Sequence, residues 1–459
     1  MASTTAAPTK PEASVTIVSE AETPTPSRST DCEADAEFPP WHEHSVRLGD
    51  YFHGPYDVYK HSKWPTFMRL QGSVLPKMIV PLALVGGWAT AVSCICQYGH
   101  SLAINSVLLT VLGFVVGLCL SFRCSTSYER YSEGRRYWSQ LVLTARNLSR
   151  LIWIHAGERH DEDPAIGKAD LLAKLTALNL IHAFSVALKH RLRFEPSVEY
   201  PDIKPLIGHV HTLASDADQA PLYERKRSLW HEAGDYLGLP IAQPNPRRLL
   251  KCSKDNLGNV PLEILNYLSA YLESIFANKT LATPVHQAQA MTLLSCLTEV
   301  LTGTERVVNT PLPVAYSICI SQITWAYVLV LPFQLYKVLG WITIPGTVMA
   351  AYIILGIAEI GHEIEDPFGE DVNDLPLDAY CAEIAADMDN LTSRPPPKPE
   401  DWVVHAQNKV LYPLSGMEYR AWEGRPVEDI REALAAKVKS REVRKERLRT
   451  ATTSANLTF

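Results

Sequence analysis

The chain has 459 residues, 46% hydrophobic and 20% charged, with a formal net charge of −7. That length is roughly three domains' worth of chain, and so mild a negative balance argues against a nucleic-acid partner. The averages resemble a soluble protein, but their distribution excludes a purely soluble chain, a collagen-like fibre and a fully disordered one.

Residues 1–45 are rich in Ser, Thr, Pro and Ala and carry acids at Glu12, Glu20, Glu22, Asp31, Glu33, Asp35 and Glu37. There is no apolar h-region, and the composition is opposite to an Arg-rich, acid-poor transit peptide. The expectation is a disordered cytosolic tail. Four stretches lack Asp, Glu, Lys and Arg: residues 78–96, 102–122, 314–336 and 338–358. A helix needs about 20 apolar residues to cross a bilayer. Four membrane helices are therefore expected near 76–98, 102–122, 314–336 and 338–360. Each pair is joined by a short loop, the first around Gly99 and His100, the second through Lys337, Gly340 and Trp341. Pro81 and Gly86–Gly87 interrupt the first run, which membrane helices tolerate.

Basic residues set the orientation. Lys60, Lys63, Arg69 and Lys77 precede the first run, and Arg123, Arg130, Arg135, Arg136, Arg146 and Arg150 follow the second. The loop between has no Lys or Arg. Both termini and the middle segment, 123–310, are thus placed in the cytosol. That segment reads as helical over 171–193, 262–277 and 287–301. Its apolar stretch 175–188 is too short to span and fits a buried helix. Residues 195–261 are rich in Pro and charge and predict long loops, with a short helix near 223–232. Arg394 to Glu400 reads RPPPKPE, a stiff extended linker. Beyond it, Lys437, Lys439, Arg441, Arg444, Lys445, Arg447 and Arg449 alternate with acids as on a solvated helix, or one touching anionic lipid.

The nine cysteines form no CxxC pair, and they read as membrane and cytosolic thiols. No P-loop, GxGxxG, HExxH or GxSxG is present, so no enzyme is expected. His209 and His211 have chelating spacing but stand alone. Three other features carry more. Phe114, Leu118 and Phe122 recur every fourth residue, share a helix face and span about 12 Å. Read as residues, they face lipid or another helix. The segment 120–138 carries a membrane helix onward into Arg and aromatic residues. It offers either ordinary positive flanking or an electropositive vestibule for anions. After the fourth run come Glu359, Glu363, Glu365, Asp366, Glu370, Asp371, Asp374 and Asp378, without Lys or Arg among them. Oxygen-rich clusters suit Ca²⁺, but Leu375 and Pro376 break an EF-hand register. Pairing with the Arg residues after run two is the competing reading.

Three ordered blocks resemble the bestrophin family of anion channels, in its bacterial, fungal and plant branch. Residues 121–138 are similar to its GFR-(4)-YDRWWEGRKLW block, with Phe122, Arg123, Tyr128, Arg130, Glu133, Gly134, Arg135 and Trp138 in place. Residues 303–316, GTERVVNTPLPVAY, resemble a second block, and 365–378, EDPFGEDVNDLPLD, a third. The resemblance implies an all-α, multi-pass membrane protein with a large cytosolic helical domain, assembled as a homopentamer around one central pore. By it, residues 46–390 form the channel domain and 391–459 a cytosolic tail. Phe114, Leu118 and Phe122 become a hydrophobic pore neck, Val285 a candidate cytosolic constriction, and Arg123, Arg130, Arg135 and Arg136 basic vestibule or structural residues. Glu370, Asp371 and Asp374 remain as candidate Ca²⁺ ligands. Val372 and Asn373 thin the acidic run of animal members, so no cofactor is expected to be required. Where the block has an aromatic pair, this chain has Tyr131–Ser132. The expected activity is passive conduction of chloride and other monovalent anions through the plasma membrane or an internal one. The rivals are a secondary anion transporter and a non-conducting membrane regulator or scaffold.

Overall fold

The computed structural model describes residues 72–99, 106–195, 197–216, 258–412 and 414–437. All lie in one unit, Val46–Phe459. The N-terminal tail, the short helix near 223–232 and most of the basic C-terminal stretch fall outside the described residues. Eight long helices organise the rest: α1 Leu75–Tyr98, α2 Ser106–His155, α3 Pro164–Leu192, α4 Val260–Ala277, α5 Pro284–Asn309, α6 Val314–Leu339, α7 Thr343–Glu363 and α8 Leu377–Thr392. No β-sheet occurs among the described residues.

Four of these, α1, α2, α6 and α7, carry the uncharged runs. The turn between the third and fourth runs, expected through Lys337, Gly340 and Trp341, falls at Gly340 and Trp341 and leaves Lys337 inside the helix. Helix α6 continues through Lys337 to Leu339. A 3-10 turn, Gly340–Ile342, follows, and α7 opens at Thr343. A single charge does not end a helix. Gly340 does, because its φ of 55° suits a residue without Cβ.

Helix α3 shows why length and composition are not sufficient. It too is long and apolar enough to cross a membrane, yet 61% of its apolar window is buried inside the protein, against 22% for the other candidate spans. Its Asp163 caps the first turn, accepting from the Ala165 amide at 2.8 Å. Its apolar face packs with α2, α4, α5 and α8 into the main core, around Trp138, Leu148, Phe184, Leu188, Leu268 and Leu297. The membrane helices pack in two smaller clusters, one holding Met78, Val85, Val328 and Leu355, the other Val116, Leu120 and Ile320. Each helix there buries only a strip and leaves the rest outward.

Helix α2 unites the two regions. Its 50 residues run about 75 Å at 1.5 Å per residue, more than twice the roughly 30 Å hydrocarbon core. Its first half packs against α6 and α7, its second against α3, α5 and α8. Side-chain bonds link α1 to α6. Pro332 disturbs the ladder of α6, and the Trp88 indole of α1 donates to Leu329 O at 2.9 Å just before it. Tyr336 adds a second link, donating to Gln97 Oε1 at 2.6 Å.

A buried knot of charge closes the lower end of α3. Lys189 reaches Asp202 at 2.5 Å and Asp378 at 2.7 Å. His190 lies between Glu195 (2.6 Å) and Asp202 (2.9 Å) and stacks flat on Tyr200 at 4.5 Å. Burial opposes the imidazolium, but its bonds to Asp202 and Glu195 outweigh that and raise the His190 pKa. Burial likewise opposes the Asp202 carboxylate, but His190 and Lys189 hold it well below the usual range. Breaking such a pair strands buried charge, so Asp202→Asn is expected to lower stability by about 3 kcal/mol in denaturant unfolding. The His190 contribution is complete below about pH 6.5 and is lost as pH rises through its raised pKa. Wild-type stability should therefore fall on that rise, and His190→Gln should flatten the slope.

Candidate functional site

Successive residues of a helix turn by about 100°, so positions 3, 4 and 7 apart share a face. On α2 one such face stays open to solvent over its whole length. In the membrane half it presents Val107, Val111, Phe114, Leu118 and Phe122. Phe114 is 73% exposed, Leu118 46% and Phe122 59%, so large apolar side chains stand free of the rest of the chain. The opposite face, through Val116, Leu120 and Ile320 of α6, is buried. Below Phe122 the open face continues as Ser125, Glu129, Ser132, Arg136, Ser139 and Leu143. The three neck residues predicted from the sequence are thus brought into line. The polar continuation was readable by counting the same period onward from Phe122, but reading the basic block as a unit obscured it.

The four basic candidates separate. Arg123 is buried, with Nη2 3.7 Å from Glu365 Oε2 and 3.5 Å from His362 Nδ1. Arg130 donates from Nε to Glu365 O at 2.9 Å and from Nη1 to Thr310 O, at the C-cap of α5. The Arg135 guanidinium lies over the Tyr380 ring of α8, 4.3 Å from its centroid. Only Arg136 is on the open face. The other three hold α2 to the rest of the protein.

The three sequence blocks meet at these contacts. Arg306 of the second block pairs with Glu133 and donates to the Tyr137 hydroxyl at 3.1 Å. Gly303 lets the Tyr137 ring in, since a Cβ there would fall 2.3 Å from it. Gly134 does the same for Phe368 of the third block, with a would-be Cβ at 2.9 Å. Burial pushes the Glu365 pKa up, but His362, Arg123 and Arg130 outweigh it and hold the carboxylate below its usual range.

The acidic block divides among basic partners on three helices. Glu363 and Asp371 face Lys77 of α1 at 3.2 and 3.8 Å. Asp378 takes Lys189 of α3 and its C-cap residue Arg193, and Glu370, largely exposed, is 4.0 Å from Arg193. Asp374 is buried, accepts from the Asp371 amide at 2.8 Å through Oδ2, and leaves Oδ1 without a partner. The three candidate Ca²⁺ ligands, Glu370, Asp371 and Asp374, therefore turn to different surroundings. Among the described residues no three His, Cys, Asp or Glu side chains gather to hold a metal ion. His211 instead offers its carbonyl to the Tyr267 hydroxyl at 2.9 Å. Val285 opens α5 and is 72% exposed, and the ring of the neighbouring His286 lies 4.2 Å from that of His155 at the end of α2. The described cysteines are all free thiols.

Residues 58–390 match a family described as Bacterial/Fungal Bestrophin protein. A voltage-dependent anion channel-forming protein of Synechocystis is 33% identical over 330 residues, which is 72% of this chain and 91% of that one. A protein of the same description from Nostoc is 32% identical, with 72% and 91% covered. Among solved structures, a bacterial bestrophin homolog from Klebsiella pneumoniae superposes with a TM-score of 0.51 at 23% identity. It covers 69% of this chain and 100% of its own, a likeness of fold.

Burial, with the charges of Asp371, Asp366 and Glu363 adding to it, pushes the Asp374 pKa up to about 7. The folded state therefore favours the protonated acid. Its contribution is complete below the unfolded value near 4 and is lost as pH rises toward 7. Asp374→Asn keeps an acceptor for the Asp371 amide and removes the charge. The variant is expected to melt several degrees above wild type at pH 8 in detergent, with the difference vanishing near pH 4.

Proposed function

The chain belongs to the bacterial/fungal bestrophin family, and on that premise we propose that it is a passive channel for monovalent anions. The observation that carries the reading is the open face of α2. Phe114, Leu118 and Phe122 stand exposed on the very helix that bears the family's first block. Five copies arranged about an axis would turn these side chains toward one another as a neck about 12 Å long.

The chemistry of such a neck is exclusion by hydration. An apolar ring holds no charge that would trap an ion, and it charges the ion for the water it sheds. Large, weakly hydrated anions shed water most readily, so nitrate, bromide and iodide pass at least as easily as chloride, and sulfate poorly. The basic residues before the first uncharged run and after the second support an arrangement with both termini and the helical body in the cytosol. There Arg136 raises the local anion concentration beneath the neck, and Val285, exposed near the start of α5, is the residue we assign to a cytosolic constriction.

Purified protein reconstituted in liposomes and planar bilayers tests this. The expected result is discrete anion-selective currents with nitrate at or above chloride. Gradient-coupled, saturating flux without unitary events would favour a transporter, and no flux from an assembled oligomer would favour a regulator. Replacing Phe114, Leu118 and Phe122 together by Ala should remove about 1 kcal/mol of dehydration barrier. That corresponds to about a fivefold rise in conductance, with weaker discrimination among anions. Unchanged currents from the assembled triple variant would place the neck elsewhere.

A further inference from the structure

An uncharged neck sorts ions by hydration and not by sign. The sign of the permeant ion must then be decided by charged side chains that share the axis with the neck. Helix α2 contains only two carboxylates, Glu129 and Glu133. Glu133 is taken by Arg306. Glu129 is exposed, and among the described residues it has no hydrogen bond or ion pair. It lies seven residues beyond Phe122, two turns and about 10 Å along the helix, and therefore on the same face. Arg136 stands a further seven residues down that face and lines the same open hollow, with Tyr128 and Ser132. Arg123, Arg130 and Arg135 are engaged with other parts of the protein.

Building on the channel reading, we propose that Glu129 is a selectivity-determining residue that opposes Arg136. A ring of Glu129 carboxylates just inside the neck repels anions and attracts cations. A ring of Arg136 guanidinium groups below it does the reverse. The balance of the two, and not the apolar neck, sets how strictly the channel prefers anions and how much current it passes. Ser125 and Ser132, flanking Glu129 on the face, offer hydroxyls to a passing ion without adding charge.

Single-channel recording of wild type, Glu129→Gln and Glu129→Asp in 0.1 M and 1 M KCl tests this. In 0.1 M salt the screening length is about 10 Å, and in 1 M about 3 Å. Glu129→Gln is expected to raise anion conductance about threefold in 0.1 M KCl and to move the reversal potential in a salt gradient toward that of chloride. The difference should nearly vanish in 1 M, and Glu129→Asp should behave as wild type. Arg136→Gln should act in the opposite direction. A Glu129→Gln channel equal to wild type in 0.1 M overturns the proposal while leaving the channel reading intact. So does a change that persists undiminished in 1 M, because that marks altered packing and not charge. Should Glu129→Gln fail to assemble, Glu129→Ser carries the same expectations, matching Ser125 and Ser132. A wild-type protein that passes no anion current removes the channel reading, and this proposal with it.

Discussion

Arg130 is the point on which the arrangement turns. A single guanidinium on α2 binds the carbonyl of Thr310, where α5 ends, and that of Glu365, just after α7. Those two places are where the chain enters and leaves the second pair of membrane helices. With Arg123 against the Glu365 side chain two turns above, α2 is held at the boundary between its membrane half and its helical body. Backbone carbonyls near helix ends need partners, and charge-assisted bonds from arginine are among the strongest available. The rotation of α2 about its own axis is thereby set, and with it the direction in which Phe114, Leu118 and Phe122 face.

This division of labour explains why the residues that make the family recognisable are mostly not those proposed to meet the ion. The blocks at 121–138, 303–316 and 365–378 converge on one another, ring against glycine at Tyr137–Gly303 and Phe368–Gly134. They form a junction between membrane and body. The residues proposed to meet the ion lie on the far side of α2, where the chain itself gives them no neighbours. A rigid seat on one side and an unpartnered face on the other is how a helix can present apolar side chains to a pore without collapsing onto its own core.

The acidic block belongs to the same junction. Its charges answer Lys77, Arg123, Lys189 and Arg193, which come from three different helices. Removing carboxylates from water is costly unless they are paired, and Glu363, Glu365, Asp371 and Asp378 each face a basic side chain. Asp374 is buried with one oxygen unpartnered, and its raised pKa is the physical answer to that position.

From the sequence alone, the four uncharged runs determined the membrane helices, because a bilayer tests length and polarity and little else. The Phe114, Leu118, Phe122 period followed from helix geometry, and the three blocks identified the family. The sequence did not determine which way α2 turns, since an apolar face reads alike toward lipid, a neighbouring helix or a pore. It did not separate Arg136 from Arg123, Arg130 and Arg135, because adjacent arginines differ only by the contacts that other helices bring to them. It could not exclude α3 from the membrane beyond the shortness of its apolar centre; burial among α2, α4, α5 and α8 decided that. Nor could it say which acids would pair. Local pattern follows from the period of a single helix, whereas partner choice depends on residues hundreds of positions apart, such as Lys77 and Glu363, which only packing brings together.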